Sequence, residues 1–258
     1  MRHVTSSDGT RIAYEKTGEG PPLVIVGGSL GDHRFYIPLA SELARRFTVY
    51  NFDRRGRGQS EDTQPYAVER ELEDLAALID DAREPVLVYG HSAGSAFALR
   101  AAAADLSIAK LVLADPPFRP HGDNDEAART RQANEAATVQ AFHDRGDHRG
   151  NAASFASAFG RPPQAIDEML DSPAGEMMID SARALPYDYA MVGDNNLVPN
   201  EVAARVQTPT LVLTAEAAPA TAKALVAIMP RAEMKTLRAP TYELSALEIA
   251  AAVLPFLS

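Results

Sequence analysis

The stretch Val86-Leu-Val-Tyr-Gly90-His91-Ser92-Ala93-Gly94 decides the reading of this chain. Four apolar residues run into a glycine, then a serine, then a second glycine. Beyond Gly94 an Ala-rich segment continues to Ala104, with the composition of a helix. A short continuous apolar run that ends at glycine reads as a strand buried on both faces. A Gly-x-Ser-x-Gly pattern between such a strand and a helix forces a sharp strand-to-helix turn. The turn lifts the serine hydroxyl to a helix N-terminus, where free N–H groups and the helix dipole favour negative charge. Ser92 is therefore expected to be a nucleophile, with the Ala93 N–H as one oxyanion donor. The alternative for Ser92 is a plain helix cap.

Working outward, the same punctuation recurs. Leu23-Val-Ile-Val26 ends at Gly27-Gly28, Thr48-Val-Tyr-Asn-Phe52 at Asp53, Lys110-Leu-Val-Leu-Ala114 at Asp115-Pro116, and Thr210-Leu-Val-Leu-Thr214 follows Pro209. Arg11-Ile-Ala-Tyr-Glu15 alternates like a strand, and the Asp8-Gly9 turn predicts a hairpin with residues 2–6. Helical spacing covers Tyr66–Asp81, Ser92–Ala104, Thr221–Met229 and Ser245–Leu257. Strand and helix in alternation imply an α/β sheet with right-handed crossovers. From Pro117 to about Val206 the alternation stops. That stretch reads as a helical insertion, too long for a plain loop.

At this point the chain resembles the α/β-hydrolase superfamily over nearly its whole length. Gly27-Gly28-Ser29 matches the loop that carries the second oxyanion donor, which makes the Ser29 N–H that candidate. Asp53-Arg-Arg-Gly-Arg-Gly-Gln-Ser60 is similar to a tight structural turn of the family. The resemblance implies a mostly parallel eight-stranded sheet flanked by helices. It implies a core of residues 1–116 and 207–258, with a helical cap over 117–206. It also implies a triad in the chain order Ser, acid, His.

The triad is where the sequence departs from that pattern. The segment before the last helix reads Leu237-Arg-Ala-Pro-Thr-Tyr242-Glu-Leu-Ser245, with Tyr242 in the slot of the histidine. After the strand ending at Thr214, where the acid is expected, the chain reads Ala215-Glu216-Ala217-Ala218, and Glu216 sits one step early. Asp115 is the other position open to the acid; a turn cap before Pro116-Pro117 is its plainer role. A tyrosine with pKa ~10 is only ~0.1% ionised at neutral pH and is a poor base. Losing the histidine of a serine triad costs roughly 10⁶ in rate. An efficient hydrolase would need another base, and His33 or His121 are the candidates. His91 should point away from Ser92 and pack in the core. His143 and His148 are five apart, off the spacing of a helical metal pair, and read as a solvated turn.

Net charge is −10 (25 basic against 35 acidic residues), which disfavours nonspecific nucleic-acid binding. No apolar run approaches the ~18 residues of a membrane span, and the first residues lack a signal-peptide core. The chain has no cysteine, which excludes thiol nucleophiles and Cys-zinc sites and fits a cytoplasmic location. The expectation is an enzyme with Ser92, Tyr242 and Asp115 at its site, needing no cofactor and no metal. Its substrate is expected to be a small apolar organic molecule, with no nucleic-acid or membrane partner. The chemistry favoured is non-hydrolytic: cyclisation, elimination or isomerisation. An ester or lactone hydrolase with a relocated base comes second, and a catalytically silent small-molecule binder third.

Overall fold

The computed structural model describes residues 1–122, 125–193 and 196–258. Eight strands form one sheet: β1 (Arg2–Thr5), β2 (Arg11–Thr17), β3 (Pro22–Val26), β4 (Thr48–Phe52), β5 (Val86–His91), β6 (Ile108–Ala114), β7 (Thr210–Ala215) and β8 (Ala232–Leu237). Their order is β1-β2-β4-β3-β5-β6-β7-β8. The β1–β2 and β2–β4 pairs are antiparallel and all the others parallel, so the β3–β8 block has its C-terminal ends along one edge. Asp53, Ser92 and Asp115 each follow a strand at that edge. This is where ligands bind in open parallel sheets.

Successive residues of a strand face opposite sides, and both sides here are covered. In β5, Val86 and Val88 pack into one apolar core while Leu87 and Tyr89 pack into the other. The first core lies under α2 (Val68–Ala82), α3 (Ala93–Ala103) and α10 (Ala220–Ile228), through Leu75, Leu78, Phe97 and Leu225. The second lies under α1 (His33–Leu43) and α11 (Ala246–Leu257), through Tyr36, Leu39, Ile249 and Val253. Complete burial of each such side chain is worth ~1.5–3 kcal/mol.

Helix α1 is not apparent from the sequence pattern. Asp32 caps it by accepting from the Arg34 N–H, and His33, Tyr36, Leu39, Ala40 and Leu43 form its buried stripe. Pro38 lies inside the helix, on its exposed side. Strand β8 is similarly obscure: Glu233 and Lys235 face outward on the sheet's last strand, so no continuous apolar run marks it.

Between β6 and β7 the described residues carry α4 (Asp125–Asp144), α5 (His148–Ala158), α6 (Pro163–Leu170), α7 (Pro173–Ser181), α8 (Leu185–Val192) and α9 (Asn200–Arg205). An isolated parallel bridge joins Arg119 to Leu197. Helices α4 to α7 gather around their own small core, which includes Val139, Ala152, Ile166 and Leu170 and takes Leu30 from the body. The end of the segment belongs elsewhere: Met191, Val192, Val198, Ala203 and Val206 join the core of α3 and α10.

Candidate active site

Ser92 stands between β5 and α3 with φ 51° and ψ −122°, a strained conformation for any residue with a side chain. Its N–H is bonded to the Ala114 carbonyl at 2.9 Å. Its side chain makes no cap hydrogen bond, so the plain capping role is not what the residue does. Glycine at 94 is required by close approach, because a Cβ there would collide with the Val26 and Gly27 carbonyl oxygens. This contact seats the Gly27–Ser29 loop on the elbow. A Cβ at Gly28 would lie 3.0 Å from the Ser92 Cβ.

The backbone N–H groups near the elbow differ in what they bond. The Gly28 N–H is already donated to the Tyr36 hydroxyl at 2.8 Å. Ala93 opens α3, where N–H groups have no helical acceptor. Neither Ala93 nor Ser29 donates its N–H to a described residue. Both N–H groups expected as oxyanion donors are therefore uncommitted.

The acid side of the site is built differently from the tyrosine-slot expectation. Asp115 follows β6 with φ 46°. Its Oδ2 accepts the Thr241 N–H at 2.5 Å and the Thr241 hydroxyl at 2.6 Å. Thr241 is buried, in the short 3₁₀ turn Thr241–Glu243 that joins β8 to α11. The residue that Asp115 holds is therefore Thr241, one position before Tyr242. Tyr242 itself is 55% exposed, and its hydroxyl bonds no described residue. Glu216 is an exposed residue in the turn after β7. Thr241 had no sequence signal beyond adjacency to the slot, since a threonine after proline is ordinary loop composition.

None of the histidines forms a hydrogen bond with Ser92. His33 is buried at the start of α1, and its Nδ1 lies 2.7 Å from Asp53 Oδ1. Bonding to Asp53 raises the His33 pKa, against the opposing effect of burial. His121 is exposed, with Nε2 3.0 Å from the Val198 carbonyl oxygen. His143 and His148 are half-buried and flank an exposed turn over residues 144–147, the solvated turn that their spacing suggested, and His143 Nδ1 lies 2.9 Å from the Arg183 carbonyl. His91 is buried and engages Tyr36 across 2.8 Å through Nδ1.

Among the described residues one group has metal-binding geometry: Asp32, His33 and Asp53. Its oxygens are already occupied. Asp53 accepts the N–H groups of His33 and Gln59, and Asp32 accepts from the Arg34 backbone and guanidinium. The group serves the α1 cap and the loop after β4.

A further residue emerges from the segment above the sheet. Asp188 of α8 is buried and pairs with Arg54 Nη1 at 2.7 Å and Arg57 Nη2 at 2.8 Å. Burial, the largest single influence, raises its pKa, but the two guanidiniums together outweigh it and hold the carboxyl below the ordinary range. Arg54 Nη1 also donates to the Gly27 carbonyl oxygen at 3.3 Å. Arg54 also pairs with Glu71 through two bonds, at 2.7 and 2.8 Å. One buried network therefore ties α8 to the oxyanion loop. Contacts spanning 134 residues leave no local pattern to read.

The family model described as "Alpha/beta hydrolase family" matches residues 23–252, and the chain belongs to that family. Among solved structures it is similar to an alpha/beta hydrolase from Sphaerobacter thermophilus, with 39% identity, a TM-score of 0.87 and complete coverage of both chains. It shares the fold of the enol-lactonase from Burkholderia xenovorans (21% identity, TM-score 0.71, 99% of each chain). It also shares the fold of the bottromycin epimerase BotH in complex with bottromycin A2 (22%, TM-score 0.62, 99% of this chain and 95% of that one). An uncharacterized hydrolase of Bacillus subtilis, YraK, is 33% identical over 95 residues, 35% of each chain. The match thus spans about a third of that relative's length. No described helix is long and apolar enough to cross a membrane.

Proposed function

We propose that this protein is an α/β-hydrolase-fold enzyme that acts on a small, mainly apolar organic molecule by proton positioning, without an acyl-enzyme. The reaction class is cyclisation, elimination or isomerisation. One observation carries the reading. The Asp115 carboxylate, which would orient an imidazole in a serine triad, holds Thr241, and no histidine is bonded to Ser92. Without a base, the Ser92 hydroxyl is a weak nucleophile but a competent hydrogen-bond donor. The Ser29 and Ala93 N–H groups suit an enolate or alkoxide as well as a tetrahedral intermediate. Tyr242, with an uncommitted phenol, is the second donor in this scheme. That the fold is shared by an enol-lactonase and an epimerase supports its use for both kinds of chemistry.

The test is a panel of small apolar ketones, lactones and esters, incubated without added cofactor and followed by mass spectrometry. Products isomeric with their substrates, or lighter by a small leaving molecule, support the reading. Turnover confined to products that have gained water, and abolished in Ser92→Ala, replaces it with a hydrolase. With a substrate in hand, Tyr242→Phe is expected to lower turnover by on the order of 10²-fold at unchanged stability. Full activity in that variant would reduce Tyr242 to packing.

A further inference from the structure

A recess of about 210 Å³ opens beneath the loop that joins β8 to α11, on the α1 side of the sheet. Phe35, Tyr36, Tyr89, His91, Tyr242 and Ile249 are among the residues that line it. Phe35 and Tyr242 are 48% and 55% exposed at its mouth, while Tyr36, Tyr89 and Ile249 are buried at its base. The lining contains no lysine, arginine or carboxylate. Besides the tyrosine hydroxyls and Thr241, whose hydroxyl is bonded to Asp115, its polar element is His91.

The hydrogen-bonding of His91 can be worked out from its neighbours. The Gly28 N–H donates to the Tyr36 oxygen, so the Tyr36 proton is free to go elsewhere. Tyr36 is buried, and the acceptor within reach of its hydroxyl is His91 Nδ1. The proton of a neutral imidazole then sits on Nε2. Burial lowers the His91 pKa, against the opposing pull of Asp115, which keeps the ring neutral near pH 7. The Nδ1 edge is turned toward Gly28, within 3.4 Å of a Cβ built there. Nε2 makes no hydrogen bond to a described residue. A ring only 9% exposed thus offers an unpaired N–H donor in an aromatic recess. The Nε2 atom is not sealed off, so an occupant of the recess can reach it.

We infer that this recess is a binding site for a flat, uncharged aromatic molecule with one acceptor oxygen, which takes its hydrogen bond from His91 Nε2–H. The rings of Phe35, Tyr36 and Tyr242 provide stacking and edge contacts. An anion is disfavoured because no cation lines the recess and the Asp115 carboxylate acts on His91. A cation is disfavoured because no carboxylate lines the recess and His91 presents a donor to it. The volume is below the usual ~300–1,000 Å³ of ligand pockets, which limits the occupant to about one ring system. The recess shares Tyr242 with the proposed reaction site, but its hydrogen bond involves neither Ser92 nor the two N–H groups expected beside it, so binding here is separable from the proposed reaction.

Acetophenone is the probe that matches this description, with benzoate and phenyltrimethylammonium as the anionic and cationic comparisons. Protein labelled with ¹⁵N-histidine is titrated and the imidazole nitrogens are followed, with His91 assigned from the His91→Phe spectrum. The expected result is an Nε2–H tautomer for His91 and a saturable shift with acetophenone at about millimolar Kd. Shifts with the two charged probes should be at least ~10-fold weaker at equal concentration, and Ser92→Ala should bind acetophenone as the wild type does. His91→Phe should weaken acetophenone binding at least ~10-fold, as read from ligand-observed saturation transfer. Should His91→Phe fail to fold, the exposed-residue variant Phe35→Ala takes its place, with the same direction expected. An Nδ1–H tautomer, no saturable shift at His91, or equal response to benzoate would overturn the assignment.

Discussion

Two neighbouring residues, Thr241 and Tyr242, stand where the sequence pattern would place a triad histidine. Thr241 takes the hydrogen bonds of the acid, and Tyr242 takes the exposed position. The expected consequence is specific to position. Thr241→His brings an imidazole within reach of Asp115 and should raise ester hydrolysis by on the order of 10²-fold or more. Tyr242→His, one residue further from the carboxylate, should give a smaller gain. A p-nitrophenyl acetate assay on the two variants checks this, and a larger gain at 242 would place the slot there after all. Another residue-scale prediction concerns Gly94. A methyl group at that position meets two backbone oxygens of β3 and its loop. Gly94→Ala should therefore destabilise by ~1–3 kcal/mol or more in urea unfolding, the range of overpacking in a close-packed interior. The elbow and its glycines were legible in the sequence because the turn imposes them locally. The Asp115–Thr241 contact was not, because it forms between strand ends 126 residues apart.

At the scale of elements, the sheet reads well where strands are buried on both faces and poorly where they are not. The strands β3 to β7 announce themselves as apolar runs, whereas β8 alternates charge with apolar residues on the open edge. Helix α1 hides behind Pro38, although its buried stripe has helical spacing. The attachment of α8 is another element-scale feature, and it rests on Asp188. Asp188→Ala leaves Arg54 and Arg57 buried without their shared carboxylate, a loss expected to cost ~3–5 kcal/mol. Chemical denaturation measures it, and a change under 1 kcal/mol would show that the pairs are solvated in solution. The pH dependence follows from the direction of the shift. The folded Asp188 titrates below its unfolded value of ~3.9, so its stabilisation is complete above that pH. It is lost as pH falls through the lower folded value. Asp188→Asn should accordingly lose stability less steeply than the wild type on acidification below about pH 4.

The molecule as a whole keeps a hydrolase framework. The strained serine, two free N–H donors and a helical segment over the strand ends are all in place. The core beneath them is deep: Phe97 of α3 is fully buried under the elbow, with the Arg54 guanidinium 5.4 Å from its ring. What the framework lacks is a base in contact with the serine. The most direct measurement is therefore the rate at which a fluorophosphonate labels Ser92 in the wild-type protein, read by intact mass at neutral pH. The account predicts slow or absent labelling in the wild type, with a rise in Thr241→His that disappears in the Ser92→Ala, Thr241→His double variant. Fast stoichiometric labelling of wild-type Ser92, unchanged in Thr241→His, would contradict it by showing that a working base is already present.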